Sequence, residues 1–264
     1  PFVAGSVCDV DAIAVQHTEQ IPRIRRLYNF PEAPPIENKF HVVGQGINND
    51  LFYPRKKDGN KMSGHSNRRS LIYVGKLSNS KGVPHLLEAF EEVIQEVPYD
   101  CHLYLAGSGQ GPEKEAIVRE AERHPDRIHI LGQLSQEDLA AYFRTSDIFV
   151  LPSFYDSLPK VLFESMACGC RAIITDLPGI RESVETGLGP ISSISYLPRP
   201  QMRTIDKPEE SALPEFVQEL KERIKAQFTA HHEEDLSEKI QKEYGKNGLF
   251  RKYLTLYRSF LKKP

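Results

Sequence analysis

Three stretches of this chain set glycine, lysine, serine and carboxylate residues where an apolar run gives way to an amphipathic one. The first is Gly75-Lys76-Leu77-Ser78-Asn79-Ser80-Lys81-Gly82. Glycine lets a ligand approach the backbone, a helix start offers free N–H groups, and lysine supplies a point charge for phosphate. The same residues also read as a turn with two solvated lysines. The second is Gly107-Ser108-Gly109-Gln110-Gly111. Its spacing is wrong for the G-x-G-x-x-G dinucleotide fingerprint, and no acidic residue ends the next strand, which runs His129-Ile130-Leu131-Gly132-Gln133. A tight strand-to-helix turn is the better reading.

The third stretch, Ser153 to Gly169, is the richest. A strand ends at Leu151, a loop carries Asp156, and a helix is expected from Leu158 or Pro159. Glu164 then falls about one and a half turns inside that helix. Ser153, Ser157 and the first helical N–H groups are donors for an anion. The two carboxylates can accept hydrogen bonds from neutral hydroxyls, as a sugar or ribose presents, while the helix dipole favours a diphosphate beside them. The competing reading is an N-cap aspartate and an exposed glutamate. Two further clusters read as structural. Asp9-Val10-Asp11 precedes the first strand without a supporting carboxylate, so it reads as a loop. His231-His232-Glu233-Glu234 falls in a polar helical stretch and reads as solvent-facing.

The elements that must position these residues follow from periodicity. From Ser70 onward strands and helices alternate: strands at 71–74, 101–106, 128–131, 148–151 and 172–175, and helices at 83–96, 112–124, 135–144 and 158–168. Such alternation implies an α/β fold with a doubly wound parallel sheet, which binds ligands at the carboxyl ends of its strands. Before it lie a strand at 12–15, a surface helix at 17–28, the stiff Pro-Glu-Ala-Pro-Pro break and a strand at 41–43. After Thr186 the pattern loosens to irregular chain with one strand, followed by helices at 213–228, 234–244 and 249–261. The expected division is 1–55, a linker at 56–69, a ligand-binding domain at 70–228 and terminal helices at 229–264.

Composition narrows the classes. Lys and Arg total 34 against 36 Asp and Glu, so there is no bulk electrostatic case for nucleic acid. The longest apolar runs end within a few residues, where a membrane span needs about twenty. The first residues show no charged n-region of a signal peptide, and the chain does not open on methionine, so a fragment of a longer product is expected. Cys8, Cys101, Cys168 and Cys170 lack metal-ligand spacing and read as reduced thiols of a cytoplasmic protein.

Taken together, VGKLSNSKG, LYLAGSGQGPEKEAI, ILGQLSQEDLAAYFRTSDIFVLPS and the Asp156–Glu164 pair followed by SMACG resemble the carboxyl half of family 4 retaining glycosyltransferases of the GT-B fold. Matching runs cover about residues 42–184, and GINNDLFYP resembles the segment joining that family's two Rossmann-like domains. The resemblance implies a donor-binding half with a remnant of the amino-terminal domain, most of which is missing. It implies catalytic roles for Lys76 and Lys81 on the diphosphate and for Asp156 on the transferred sugar. Glu164 would hold the ribose, and Gly75, Ser157, Leu158 and Pro159 would line sugar and diphosphate. The base would sit near Leu131 and Gly132. No essential metal or other cofactor is implied, and the partner is a nucleotide-sugar donor. The resemblance leaves the acceptor, the base and the sugar open, and it allows peripheral membrane contact. Asp156 stands where the family has Glu, and Lys76 where it usually has Arg. These departures keep two alternatives in play: a non-transferring sugar-nucleotide enzyme such as an epimerase, and a non-catalytic binding or scaffold domain.

Overall fold

The computed structural model describes residues 10–28, 38–54, 67–189, 191–230 and 236–261. Cys8, Asp9, the Pro-rich break and the His231–Glu234 cluster lie outside the described residues, as does most of the expected linker.

Two parallel sheets form. The small one pairs β1 (Ile13–Val15) with β2 (Phe40–Val42), and α1 (Gln20–Tyr28) connects toward it. The large one has six strands: β3 (Arg68–Val74), β4 (Asp100–Ala106), β5 (Ile128–Gly132), β6 (Ile148–Leu151), β7 (Arg171–Thr175) and β8 (Ile194–Leu197). Their spatial order is β5-β4-β3-β6-β7-β8, all parallel. The chain therefore moves one way from β3 to β5 and the other way from β6 to β8. Right-handed crossovers then put helices on both faces, which is the doubly wound arrangement. The central strands show why the sheet forms. Leu71, Ile72 and Tyr73 of β3 and every residue of β6 are buried, as strands covered on both faces must be.

The crossover helices are α2 (Val83–Glu96), α3 (Gly111–Ala121), α4 (Gln136–Thr145), α5 (Lys160–Ala167) and α6 (Ile180–Leu188). In α2 the apolar residues Val83, Leu86, Leu87, Phe90 and Val93 make one buried stripe. Its outer side receives α7 (Leu213–Thr229), where Lys221 reaches Glu92 at 2.8 Å and Glu96 at 3.0 Å. The serine expected to cap α4 does so: Ser135 Oγ accepts from the Asp138 N–H at 3.1 Å.

Two boundaries and one element differ from expectation. The linker expected to reach residue 69 ends sooner, because Arg68 and Arg69 already pair with Asp100 and Cys101 in the sheet ladder. The helix expected from Leu158 or Pro159 begins at Lys160, with Pro159 in extended conformation as its cap residue. And α6 was not expected at all. It starts from Gly179, whose φ of 82° suits glycine, and buries Ile180, Val184 and Leu188 at four-residue spacing.

Two last helices close the chain, α8 (Ser237–Tyr244) and α9 (Lys246–Leu261). The segment Gly46 to Tyr53 is anchored between them and the large sheet. Ile47 N–H donates to Tyr244 O at 2.7 Å, Gln241 donates to Phe52 O at 2.9 Å, and Arg144 of α4 donates to Leu51 O at 3.0 Å. Phe52 and Ile47 are part of the core. From this anchor α9 runs back along the small sheet, setting Phe260 edge-on to His41 of β2. No described helix is long and apolar enough to cross a membrane.

Candidate functional site

Strand order reverses between β3 and β6, and the two loops leaving their carboxyl ends meet there. The loop after β3, residues 75–82, is stitched to the loop after β6, residues 152–159, at three points. Phe154 N–H donates to Ser80 O at 3.0 Å. The Lys81 ammonium donates to Asp156 Oδ2 at 2.7 Å and to Tyr155 O at 3.0 Å. Gly82, at φ 71°, packs on Pro152 so closely that a Cβ there would lie 2.1 Å from the Pro152 carbonyl oxygen. Below them Phe154 is buried against His85 and Phe216, at ring separations of 5.5 and 5.1 Å.

Asp156 does not cap the helix. Its Oδ1 accepts from the next backbone N–H, Ser157, at 2.9 Å, and its Oδ2 takes Lys81. The start of α5 therefore has no side-chain cap, and its first residue is Lys160. Unsatisfied N–H groups, the positive dipole end and a cation coincide there, which suits an anion. Glu164 is not exposed either. It is buried, with Lys160 Nζ 2.9 Å away one helical turn earlier. Both structural alternatives for the acid pair are thus corrected. Ser153 is fully buried, and its Oγ has no hydrogen-bond partner among the described residues.

The other side of the crevice is a cavity of about 510 Å³ between the ends of β3, β4 and β5. It is walled by Gly75, Lys76, the Gly107–Gln110 loop, Gln133 and Leu134. The loops pack by backbone. Leu77 N–H donates to Ser108 O at 2.9 Å, and Gly107 N–H to Gly132 O at 2.7 Å. Gly107 has φ 138°, and a Cβ on it would sit 1.8 Å from Gly75 O, so only glycine fits. Tyr73 donates to Lys76 O at 2.7 Å and braces this turn from within the sheet. Burial, with the Asp156 charge nearby, pushes its phenol far above the usual value, so it remains a neutral donor.

The expected residues fall into groups. Lys81 and Asp156 are in direct contact. Gly75 and Lys76 line the cavity, with Lys76 exposed at its lip. Ser157, Leu158 and Pro159 run from Asp156 to the helix start, the Leu158 side chain turned into the core. Leu131 and Gly132 end β5, but the next two residues, Gln133 and Leu134, are what line the cavity. The Gly107–Gln110 loop is the residue set that motif reasoning underrated. It is a strand-to-helix turn, as expected, and also a cavity wall. Its juxtaposition with Gly75, which marked it out, is a tertiary fact. Tyr73 carried no signal beyond strand periodicity.

Other chemistry is not assembled. Cys101, Cys168 and Cys170 are free and buried. Burial pushes the Cys101 thiol up to about 11 and the Cys168 thiol up to about 12, away from nucleophile or ligand behaviour. Asp11 is exposed ahead of β1. Among the described residues no group of three or more His, Cys, Asp or Glu could hold a metal ion.

Residues 68–196, which contain the whole crevice, match the family model of glycosyl transferases group 1. The chain carries a group 1 glycosyltransferase domain. It is 28% identical over 169 residues to alpha-maltose-1-phosphate synthase of Mycobacterium tuberculosis, covering 60% of this chain and 42% of that protein. It is 27% identical over 203 residues to D-inositol 3-phosphate glycosyltransferase of Thermobispora bispora, covering 73% and 46%. The chain thus spans about half the length of the curated relatives it matches. Among solved structures it superposes on the pneumococcal O-GlcNAc transferase GtfA, in complex with UDP and GlcNAc, with a TM-score of 0.68 at 16% identity, over 99% of this chain and 47% of that one. At that identity the likeness shows the fold, the GT-B type expected from the sequence.

Proposed function

We propose that this group 1 domain is the donor-binding half of a retaining, family 4 glycosyltransferase that moves a sugar from a nucleotide diphosphate sugar to an acceptor hydroxyl. The observation that carries the proposal is the meeting of Lys81 and Asp156 across the strand-order reversal, where open α/β sheets take their ligands. The cavity beside it has a volume suited to a nucleotide. The base and ribose occupy that cavity, with Glu164 toward the ribose and the backbone after Leu131 and Gly132 against the base. The diphosphate lies between Lys76, Lys81 and the uncapped start of α5, and the sugar beyond it at Asp156.

Transfer breaks the bond from the anomeric carbon to the terminal phosphate oxygen, which keeps the electron pair. Lys76, Lys81 and the helix dipole stabilise that growing charge, so no metal is needed for this step. The acceptor oxygen attacks from the same face as the leaving group departs. Its proton passes to the departing phosphate oxygen, so no protein nucleophile is assigned. The acceptor is held by a further domain. The small β1–β2 sheet supports this, because two parallel strands rarely stand alone, and parallel sheets are covered on both faces. Residues 1–55 then belong with that further domain and 70–228 with the donor domain. The free cysteines fit a reducing, cytoplasmic setting.

Thermal unfolding of this chain with UDP, GDP, ADP and TDP at millimolar concentration tests the proposal. One of them raises the melting temperature, and Lys81→Ala removes the rise. No rise with any of the four overturns it.

A further inference from the structure

Lys81 and Asp156 are the two charged groups that a donor needs most, and the structure has them spending their charge on each other. The pair is close, at 2.7 Å, and both side chains are about three-quarters buried, with relative exposures of 24% and 22%. The geometry is tighter than a chance surface pair. Lys81 has a second acceptor in Tyr155 O, and the other oxygen of Asp156 is held by the Ser157 N–H. Both ends are therefore fixed by backbone as well as by each other. The loops that carry them are fixed in turn, by the Phe154 to Ser80 hydrogen bond and by the packing of Gly82 on Pro152.

Resting on the proposed function, we propose that Asp156 is a competing counter-ion for Lys81, and that an incoming diphosphate must take the ammonium from it. The exchange has a direction. When the diphosphate takes Lys81, Asp156 Oδ2 loses its cation beside a new anion. It is then stabilised only by hydrogen-bond donors placed beyond the diphosphate. Sugar hydroxyls are such donors; a bare nucleoside diphosphate has none there. Asp156 thus lowers affinity for the product nucleotide and returns the difference when a whole donor binds. This makes it a residue that discriminates donor from product, in addition to contacting the sugar. An aspartate arm, one methylene shorter than glutamate, keeps the carboxylate close to the loop that holds Lys81, so the exchange is built into this sequence.

The test is calorimetric titration of the chain with UDP, GDP, ADP and TDP, comparing the unaltered protein with Asp156→Asn and Glu113→Gln. Glu113 removes an equal charge beside the same loop, where it accepts from Asn79 N–H at 3.4 Å, without touching Lys81. The expected result is that Asp156→Asn binds the preferred nucleotide about three- to tenfold more tightly, as release of a largely buried ion pair allows. Glu113→Gln stays within about twofold, as expected of an exposed surface charge. Damage to the fold weakens binding, so tightening cannot be mistaken for it; Asp156→Ser serves if the asparagine variant does not fold. Equal or weaker binding by the Asp156 variant overturns the counter-ion role and leaves the donor site standing. Equal tightening by both variants also overturns it, because bulk charge then suffices. Binding of none of the four nucleotides by any of the proteins overturns both readings.

Discussion

Charged groups collect at both ends of the large sheet. Toward the amino ends of β3, β4 and β5, Arg127 pairs with Asp100, Asp100 faces His102 at 3.2 Å, and His102 meets His129 at 3.0 Å. Tyr104 stacks on His129, with centroids 5.0 Å apart, and takes a hydrogen bond from Arg68 at 2.6 Å. At the carboxyl ends of β3 and β6 stand Lys81, Asp156, Lys160 and Glu164. The first cluster has more titratable groups, yet it lies away from the reversal of strand order. β3, β4 and β5 are sequential neighbours, so their side chains satisfy one another across a continuous ladder. Between β3 and β6 the crossovers leave in opposite directions and their loops part, which opens space for a ligand. Composition alone favours the amino end; strand order favours the carboxyl end.

The largest effect expected from this contrast is on stability. Gly107→Ala puts a Cβ into Gly75 O at a backbone angle that other residues avoid. A loss of about 2–4 kcal/mol is expected, measured by denaturant unfolding. His129→Ala, in the other cluster, removes one stacked ring at a partly open surface and costs about 1 kcal/mol or less. If Gly107→Ala is as mild as His129→Ala, the crevice walls are not as closely fitted as the backbone contacts require.

Ligand binding separates the ends next. Lys81→Ala is expected to weaken the preferred nucleoside diphosphate about thirtyfold, roughly 2 kcal/mol for a hydrogen bond to a charged group. Arg127→Ala, an equal change of charge at the amino end, leaves that affinity within about twofold, since surface charges at this range are screened. Equal losses would mean a diffuse field and not a site.

Much of this was legible beforehand. The strands at 148–151 and 101–106 and the helix at 83–96 announce themselves because buried parallel strands are continuous apolar runs and α2 has a regular stripe. Lys76, Lys81, Asp156 and Glu164 were legible as candidate site residues because charge and glycine at strand ends have few other uses. Three things were not. The pairing of Lys81 with Asp156 joins residues 75 apart in sequence, which no local pattern records. The burial of Glu164 depends on what packs around α5, and the helix pattern alone made it look exposed. The helix at 180–188 is hidden by Thr186 and Gly187, poor helix formers overridden by the burial of Ile180, Val184 and Leu188.

Glu164→Gln sharpens the comparison within the crevice. The buried carboxylate is lost while its shape is kept, and Lys160 is exposed enough to remain hydrated. Stability is therefore expected to change by less than about 1 kcal/mol, since an ion pair whose lysine is open to water contributes little and its loss leaves no buried, unpaired charge. Nucleotide affinity is expected to fall about tenfold, because the amide matches the acceptor pattern of the carboxylate only in part. Titration and thermal unfolding of the same variant separate the two. A variant that binds as well as the unaltered chain would place Glu164 in the core alone and move the ribose contact elsewhere.

The smallest effect is that of pH, and it links the two ends. His17, His85 and His129 are all held below the ordinary value of 6.5, in each case chiefly by burial. Their unfolded forms thus take up protons at higher pH than their folded forms do. The sign follows: stability is fully present above pH 6.5 and is lost as pH falls from there toward the folded values. His85 lies under the crevice against Phe154, and His129 lies in the amino-end stack, so the two can be told apart by substitution. Melting temperatures measured at pH 7.5, 6.5 and 5.5 in matched salt should fall at the acid end. His85→Gln, which cannot charge, should flatten that slope and keep nucleotide binding steady to lower pH, because Phe154 then stays seated beneath the Lys81–Asp156 loop. His129→Gln should flatten the slope without altering how binding depends on pH. Should His129→Gln change the pH dependence of binding as much as His85→Gln does, the two ends of the sheet are coupled, and the separation drawn between them fails.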